Sequence, residues 1–160
     1  MTHSPATHGS FTLERVYRCS QRRAFDAFAR AELKAIWFSG PPEDWKELER
    51  SHDFRVGGIE IAEGRFTASG VVSRYVARFH EIIDGHRIVS AYEMRLNGNL
   101  HSLSLATVEL CEASGGTRLV YTEQIVFLDG TTAEGGTRSR ESGTVALFDR
   151  LERSLEVSPA

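Results

Sequence analysis

The sequence predicts an α+β fold in which a curved antiparallel sheet wraps around a long C-terminal helix. Apolar residues recur every three or four positions from Arg138 to Leu155, which is the period of an amphipathic helix. Short runs of alternating apolar and polar residues fill most of the chain before it, and two short helical patterns follow the first of them. One helix cannot bury its apolar stripe alone, so the strands must supply the covering surface.

The N-terminal part of the chain predicts a tail, a strand and two short helices. Residues 1–9 are polar and are expected to form a flexible tail, followed by a single domain over residues 10–157. Residues 11–19 alternate as a strand does, and Ser20 is a favourable N-cap for a helix over residues 21–30. A second helix over residues 32–37 is expected to end before two consecutive prolines.

Residues 41–52 are polar and lack a clear period, so they predict an irregular loop. Trp45 is the large apolar residue of this segment. It has two interpretations that the sequence leaves open: it packs over an edge of the domain, or it forms the lip of a cavity.

Six further strands are predicted before the long helix, and turn residues separate them. Gly57-Gly58, Asp84-Gly85, Asn97-Gly98 and Gly115-Gly116 mark bends or hairpins. The predicted strands cover residues 54–56, 59–62, 71–82, 87–96, 102–111 and 117–127.

Side chains alternate along a strand, so the inner face of the sheet can be followed from hairpin to hairpin. Two-residue turns are assumed after the third and fourth of these strands. The last turn is open: a three-residue loop buries Leu119 and Glu123, whereas a two-residue loop buries Val120 and Thr122. The larger apolar set favours the three-residue loop. The expected inner face comprises Tyr75, Ala77, Phe79, Ser90, Tyr92, Met94, Leu103, Leu105, Thr107, Leu119, Tyr121, Glu123, Ile125 and Phe127.

Glu123 is an unusual residue for an inner face, because a buried carboxylate is costly without partners. Either it lies at a wet edge or pairs with Arg138 or Arg140 at the start of the helix, or it is a polar anchor of a cavity between sheet and helix. Both interpretations remain open at this point.

Composition excludes several classes of function. The formal net charge is −3 with no concentrated basic block, so no nucleic-acid partner is expected. No apolar run is long enough for a membrane span, and the polar N-terminus lacks a signal-peptide core. A cytoplasmic location with Cys19 and Cys111 as free thiols is expected. No phosphate loop, metal-ligand spacing or nucleophile elbow appears, so no cofactor, metal or catalytic residue is assigned.

Several short segments, in this order and spacing, carry a resemblance to a known family: 24–28 (AFDAF), 54–58 (FRVGG), 79–82 (FHEI), 116–119 (GTRL) and 147–151 (LFDRL). With them the chain resembles the helix-grip fold of the SRPBCC superfamily, also called START-like or birch-pollen-allergen-like. Within it, the chain is similar to the family of homologues of the activator of heat-shock-protein-90 ATPase. Segment 140–144 (RESGT) looks like a subgroup signature with no derivable role.

The resemblance implies a deep apolar cavity. Relatives include receptors for lipids or polyketides, cyclases and hydrolases, and chaperone partners. The main hypothesis is therefore binding of a hydrophobic small molecule between sheet and helix. The alternatives are an enzyme using Glu123 and Tyr121 as acid and base, and a chaperone-interacting domain. A homodimer is plausible by base rate. The expected cavity lining is Trp37, Phe54, Tyr75, Tyr92, Thr107, Tyr121 and Glu123.

Overall fold

The computed structural model describes residues 3–157 as seven strands, three α-helices and one turn of 3₁₀ helix. The first two residues of the expected tail lie outside this range. The elements are β1 (Thr7–Tyr17), α1 (Gln21–Ala29), α2 (Ala31–Trp37), the 3₁₀ turn (Pro42–Asp44), β2 (Trp45–His52), β3 (Ile59–Phe66), β4 (Val72–Ile83), β5 (Arg87–Leu96), β6 (Asn99–Ala113), β7 (Gly116–Phe127) and α3 (Ala133–Val157).

The seven strands form one antiparallel sheet in the order β1-β7-β6-β5-β4-β3-β2. Strands β2 to β7 form a meander, since each pairs with the next along the chain, and β1 closes on β7. The sheet curves around α3, as the sequence predicts. The helix-grip architecture is therefore confirmed.

The hydrophobic core lies between the concave face of the sheet, the two short helices and α3. Phe148, Leu151 and Leu155 of the predicted stripe are buried, as are Phe25 and Phe28 of α1. The Ser20 side chain accepts a hydrogen bond from the Arg23 backbone N–H at 3.1 Å, which confirms the predicted N-cap. Helices and sheet thus share one apolar cluster at this end of the molecule.

The first half of the sheet differs from the prediction in two places: one unexpected strand is present and one expected strand is missing, so the number of strands is unchanged. Segment 45–52, expected as a loop, is the edge strand β2, whose polar side chains are largely exposed and show no period. Segment 54–56, expected as a strand, is a bend before β3. Gly57 donates its backbone N–H to the Phe79 carbonyl at 2.7 Å, so the chain rejoins the sheet there.

The expected inner face of β6 is wrong, because the hairpin before it contains a bulge. Asn97 and Gly98 form the two-residue turn and have φ angles of 51° and 81°. Arg95 pairs with Leu100 but Met94 pairs with Ser102, so His101 is the extra residue. Leu103 and Leu105 consequently face outward and are 43% and 41% exposed. Thr107 shares their face, so its expected place in the cavity wall is also wrong.

The expected inner face of β7 is confirmed through two errors that cancel. The hairpin between β6 and β7 has a two-residue loop, not the expected three-residue loop, because Ala113 pairs with Gly116. The shorter loop shifts the pairing by one residue and so exchanges the two faces of β7. The bulge in β6 has the same effect, and the two shifts cancel, so Leu119, Glu123 and Phe127 are buried. A bulge at His80 compensates in the same way for a three-residue turn between β4 and β5.

Two elements begin earlier than predicted. Strand β1 starts at Thr7, which pairs with Phe127, so residues 7–9 belong to the sheet and not to a tail. Helix α3 starts at Ala133, before the predicted helical period that begins at Arg138, and Gly135 and Gly136 lie in its first turn.

Candidate functional site

A cavity of about 760 Å³ lies between the concave face of the sheet, α3 and the segment that follows α2. Its inner part is apolar and includes Phe28, Phe54, Phe79, Val108 and Leu147. Polar side chains enter the wall from the middle strands and from α3. Its outer part reaches the following residues: Gly40, Pro41, Trp45, Phe66, Leu96, His101, Thr132, Gly135, Ser139 and Gly143.

All the residues expected to line a cavity do so except Thr107. Trp37 and Phe54 come from α2 and from the bend before β3, and the remaining ones project from the middle strands. Those that line it are Trp37, Phe54, Tyr75, Tyr92, Tyr121 and Glu123. That they contact a ligand stays a prediction.

Glu123 is 1% exposed and its carboxylate accepts hydrogen bonds from four side chains. Oε2 accepts from the Tyr92 hydroxyl at 2.6 Å, the Ser104 hydroxyl at 2.8 Å and Arg140 Nη1 at 2.9 Å. Oε1 accepts from the Tyr121 hydroxyl at 2.6 Å. These donors offset the cost of burying the charge. The two interpretations of Glu123 both hold in part, since it pairs with Arg140 and also lines the cavity.

Arg140 connects α3 to three strands through this network. Besides Glu123 on β7, its Nη1 donates to the Tyr92 hydroxyl of β5 at 2.7 Å, and its Nη2 donates to the Ser102 hydroxyl of β6 at 2.7 Å. Its guanidinium also lies 5.8 Å from the centre of the Phe127 ring. Segment 140–144 therefore has at least one role, which is to hold the helix on the sheet.

A second buried ionic cluster lies near the end of α2. Lys34 donates to Glu60 Oε1 at 2.7 Å, and His52 Nδ1 lies 3.1 Å from Glu60 Oε2. Glu60 is 2% exposed. Burial alone would raise the pKa of Glu60, but the positive charge of Lys34 and the contact with His52 outweigh it and lower that pKa. Lys34 lines the cavity, and its Nζ lies 4.5 Å from the centre of the Phe38 ring.

The cavity tyrosines are held in their neutral form. Burial, reinforced by the negative charge of Glu123, raises the pKa of Tyr121 well above its ordinary value and raises that of Tyr92 as well. Burial and the charge of Glu60 do the same for the pKa of Tyr75. All three hydroxyls therefore carry a hydrogen that can be donated at neutral pH, and Tyr92 and Tyr121 donate theirs to Glu123.

Trp45 lines the outer part of the cavity and lies between two glycines. A Cβ atom at Gly40 would come within 2.3 Å of its ring, and one at Gly64 within 2.1 Å. The ring also packs edge-on against Phe66, with centroids 5.1 Å apart. Both interpretations of Trp45 hold in part, because it lies on the edge strand β2 and also lines the cavity.

Sequence reasoning missed the cluster of Lys34, His52 and Glu60. Lys34 lies three residues before Trp37, on the buried face of α2, and Glu60 alternates with Ala62 on the inner face of β3. Each placement was a signal that a charged residue needed a buried partner. His101 of the cavity wall was also missed; its Nδ1 lies 2.6 Å from Asp129 Oδ2.

A curved antiparallel sheet with a cavity against a long C-terminal helix defines the START-like class of proteins. The model of the family described as Activator of Hsp90 ATPase homolog 1-like protein matches residues 18–156, and the chain belongs to this family.

Several solved structures of other proteins have the same fold. The chain is similar to a protein of Rhizobium leguminosarum at 38% identity, covering 96% of this chain and 98% of that one with a TM-score of 0.88. It is similar to a protein of Rhizobium loti, also at 38% identity, covering 94% and 99% with a TM-score of 0.83. A Chromobacterium violaceum protein is 27% identical, covers 93% and 98%, and gives a TM-score of 0.73. No curated protein matches the chain.

Within residues 3–157, none of the helices has both the length and the apolar character that crossing a membrane requires.

Proposed function

We propose that this protein binds a hydrophobic small molecule in the cavity between the sheet and α3. The observation that carries the proposal is the cavity itself. Its volume of about 760 Å³ lies within the range of about 300–1,000 Å³ that is typical of small-molecule sites. Its wall is mostly aromatic and aliphatic, with a few convergent polar groups, which is also typical of such sites.

The polar groups of the cavity wall favour ligand binding over catalysis. Glu123 already accepts four hydrogen bonds, so it has little capacity left to take a proton from a substrate. Tyr121 donates its hydroxyl hydrogen to that same carboxylate. The enzyme alternative therefore has no specific observation in its favour.

The chaperone-partner alternative has one observation in its favour. Leu103 and Leu105 are exposed on the outer face of the sheet, and Leu103 lies beside Val126 on β7. The family is described by its likeness to an activator of the Hsp90 ATPase. The patch is a less specific feature than the cavity, which combines a large volume with polar groups. Binding of a partner protein is therefore the second candidate.

The first test uses protein purified from its own host. Native mass spectrometry should show a bound organic molecule, and solvent extraction should release it. Titration with N-phenyl-1-naphthylamine, an uncharged fluorescent probe of apolar sites, should then show saturable binding to the extracted protein. An unliganded mass together with no saturable binding of the probe would contradict the proposal.

Gly143 provides a matched pair of variants. It lines the cavity from α3, and a Cβ atom there would meet nothing within 4 Å. Gly143→Phe should place its ring in the cavity opening and weaken binding of the probe at least about 10-fold, the equivalent of about 1.4 kcal/mol. Gly143→Ala should retain binding and stabilise the helix by about 0.5–1 kcal/mol, because it removes a helical glycine. Equal binding by both variants would place the probe elsewhere on the protein.

A further inference from the structure

Tyr75 differs from the other cavity tyrosines in the use of its hydroxyl group. Tyr92 and Tyr121 donate to Glu123, but the Tyr75 hydroxyl has no hydrogen-bond partner among residues 3–157. The hydroxyl oxygen is not sealed inside the protein, because part of its surface is accessible. Since Tyr75 lines the cavity, its hydroxyl opens onto the cavity space.

The ring of Tyr75 is held firmly in place. It packs edge-on against Phe38, with centroids 5.0 Å apart, and at a tilt of 41° against Tyr92, with centroids 4.6 Å apart. On β4 it pairs with Ala62 of β3 and Met94 of β5, so paired strands flank it on both sides. A hydroxyl on a ring fixed in this way is a preorganised donor, and a ligand that uses it loses little side-chain entropy of the protein.

Every basic side chain in the described part of the cavity wall already has an acceptor. Lys34 pairs with Glu60, Arg140 with Glu123, and His101 with Asp129. Arg150 donates to the backbone carbonyls of Trp37 and Ser39. An anionic ligand group would therefore compete with carboxylates for Lys34, Arg140 and His101, and with backbone carbonyls for Arg150. It would also lie near the negative charges of Glu60 and Glu123, both of which contribute to the raised pKa of Tyr75.

We propose that the ligand presents an uncharged hydrogen-bond acceptor, such as a ketone, ester or ether oxygen, to the Tyr75 hydroxyl. The ligand class is thus a neutral apolar molecule with an oxygen acceptor, not a fatty acid or a phospholipid phosphate. This inference rests on the proposed function, because it assigns the polar contact of the same cavity.

The test compares three probes of equal carbon number: undecan-2-one, undecane and undecanoate. Each displaces N-phenyl-1-naphthylamine from the wild-type protein, and the order of affinity should be ketone, then hydrocarbon, then carboxylate. A net hydrogen bond of about 0.5–1.5 kcal/mol corresponds to a roughly 2- to 13-fold preference for the ketone over the hydrocarbon. Tyr75→Phe should remove this preference and leave the affinity for undecane unchanged.

Tyr17→Phe is the matched control. Tyr17 is also buried, but it lies outside the cavity wall and donates to the Phe148 carbonyl at 3.2 Å. This variant should keep the preference for the ketone. Tighter binding of undecanoate than of undecan-2-one, or a ketone preference that survives Tyr75→Phe, would overturn the inference while binding in the cavity stands. Failure of all three probes to displace the dye would instead count against the proposed function.

Discussion

Replacing Arg140 with methionine should destabilise the protein strongly, because it leaves the buried Glu123 carboxylate without a counter-charge. Arg140 donates to Glu123 and to the hydroxyls of Tyr92, Ser104 and Ser102. Methionine retains an apolar stem but makes none of these contacts. Removal of one partner from a buried ion pair typically costs about 3–5 kcal/mol, and the near-complete burial of Glu123 places this pair in that range.

A double-mutant cycle separates the ion pair from ordinary packing loss. Glu123→Gln alone leaves the Arg140 charge unpaired and should also be destabilising. The double variant leaves neither charge buried, so its loss should be smaller than the sum of the single losses by at least about 1 kcal/mol.

Urea unfolding at neutral pH, followed by far-UV circular dichroism, measures the free energy of unfolding of all four proteins. An unchanged dependence on urea concentration shows that the folded state is still compact. Strictly additive losses, or an Arg140→Met loss below about 1 kcal/mol, would show that the network does not hold the helix on the sheet.

Two further predictions concern the other end of the cavity. Gly64→Ala should displace the Trp45 ring, because the new Cβ would lie 2.1 Å from it. We expect red-shifted tryptophan emission and a decrease of about 1–3 kcal/mol in the free energy of unfolding. Gly143→Ala is the control and should leave the emission unchanged. Glu60→Gln should lower stability at neutral pH and flatten the acid limb of the unfolding profile. The pKa of Glu60 is depressed in the folded state, so its contribution is present above the ordinary glutamate range and is lost as the pH falls below about 4.3. A parallel pH profile for Glu60→Gln and the wild type would contradict the pairing with Lys34.

The long helix and the number of strands could be predicted because they depend on local periods. The stripe of α3 is visible in the sequence, whereas its first turn is not, since Gly135 and Gly136 have poor helix propensity and owe their conformation to the capping Thr132 and to packing. Strand β2 was invisible for a related reason. It is a polar edge strand, and what defines it is pairing with β3 and not its own pattern.

The register of the sheet shows the limit of counting along hairpins. The bulge at His101 has no distinctive composition, yet it turns every side chain of β6 to the other face. Apolar content was a better guide than loop length, because burying Leu119 and Phe127 outweighs the cost of any particular turn. Apolar content placed Glu123 in the cavity wall correctly, whereas counting from the assumed two-residue turn placed Thr107 there incorrectly.

The ionic partners could not be predicted from spacing. Lys34, His52 and Glu60 come from three different elements, and only the assembled sheet brings them together. Arg140 was one of two candidates for Glu123, because the start of the helix was known to lie near β7 but its rotation was not.

The contacts that fasten α3 also fix the shape of the cavity. Arg140 anchors its first half to three strands, Arg15 of β1 reaches Asp149 at 2.9 Å, and Arg150 donates to two carbonyls at the end of α2. Tilting the helix outward would break all of these at once. The opposite wall, residues 38–44, is held as well: the Phe38 carbonyl accepts from Arg50 Nη2 at 2.7 Å, and the Ser39 carbonyl accepts from Arg150. Both walls are therefore anchored by polar contacts, and the cavity is built into the fold itself.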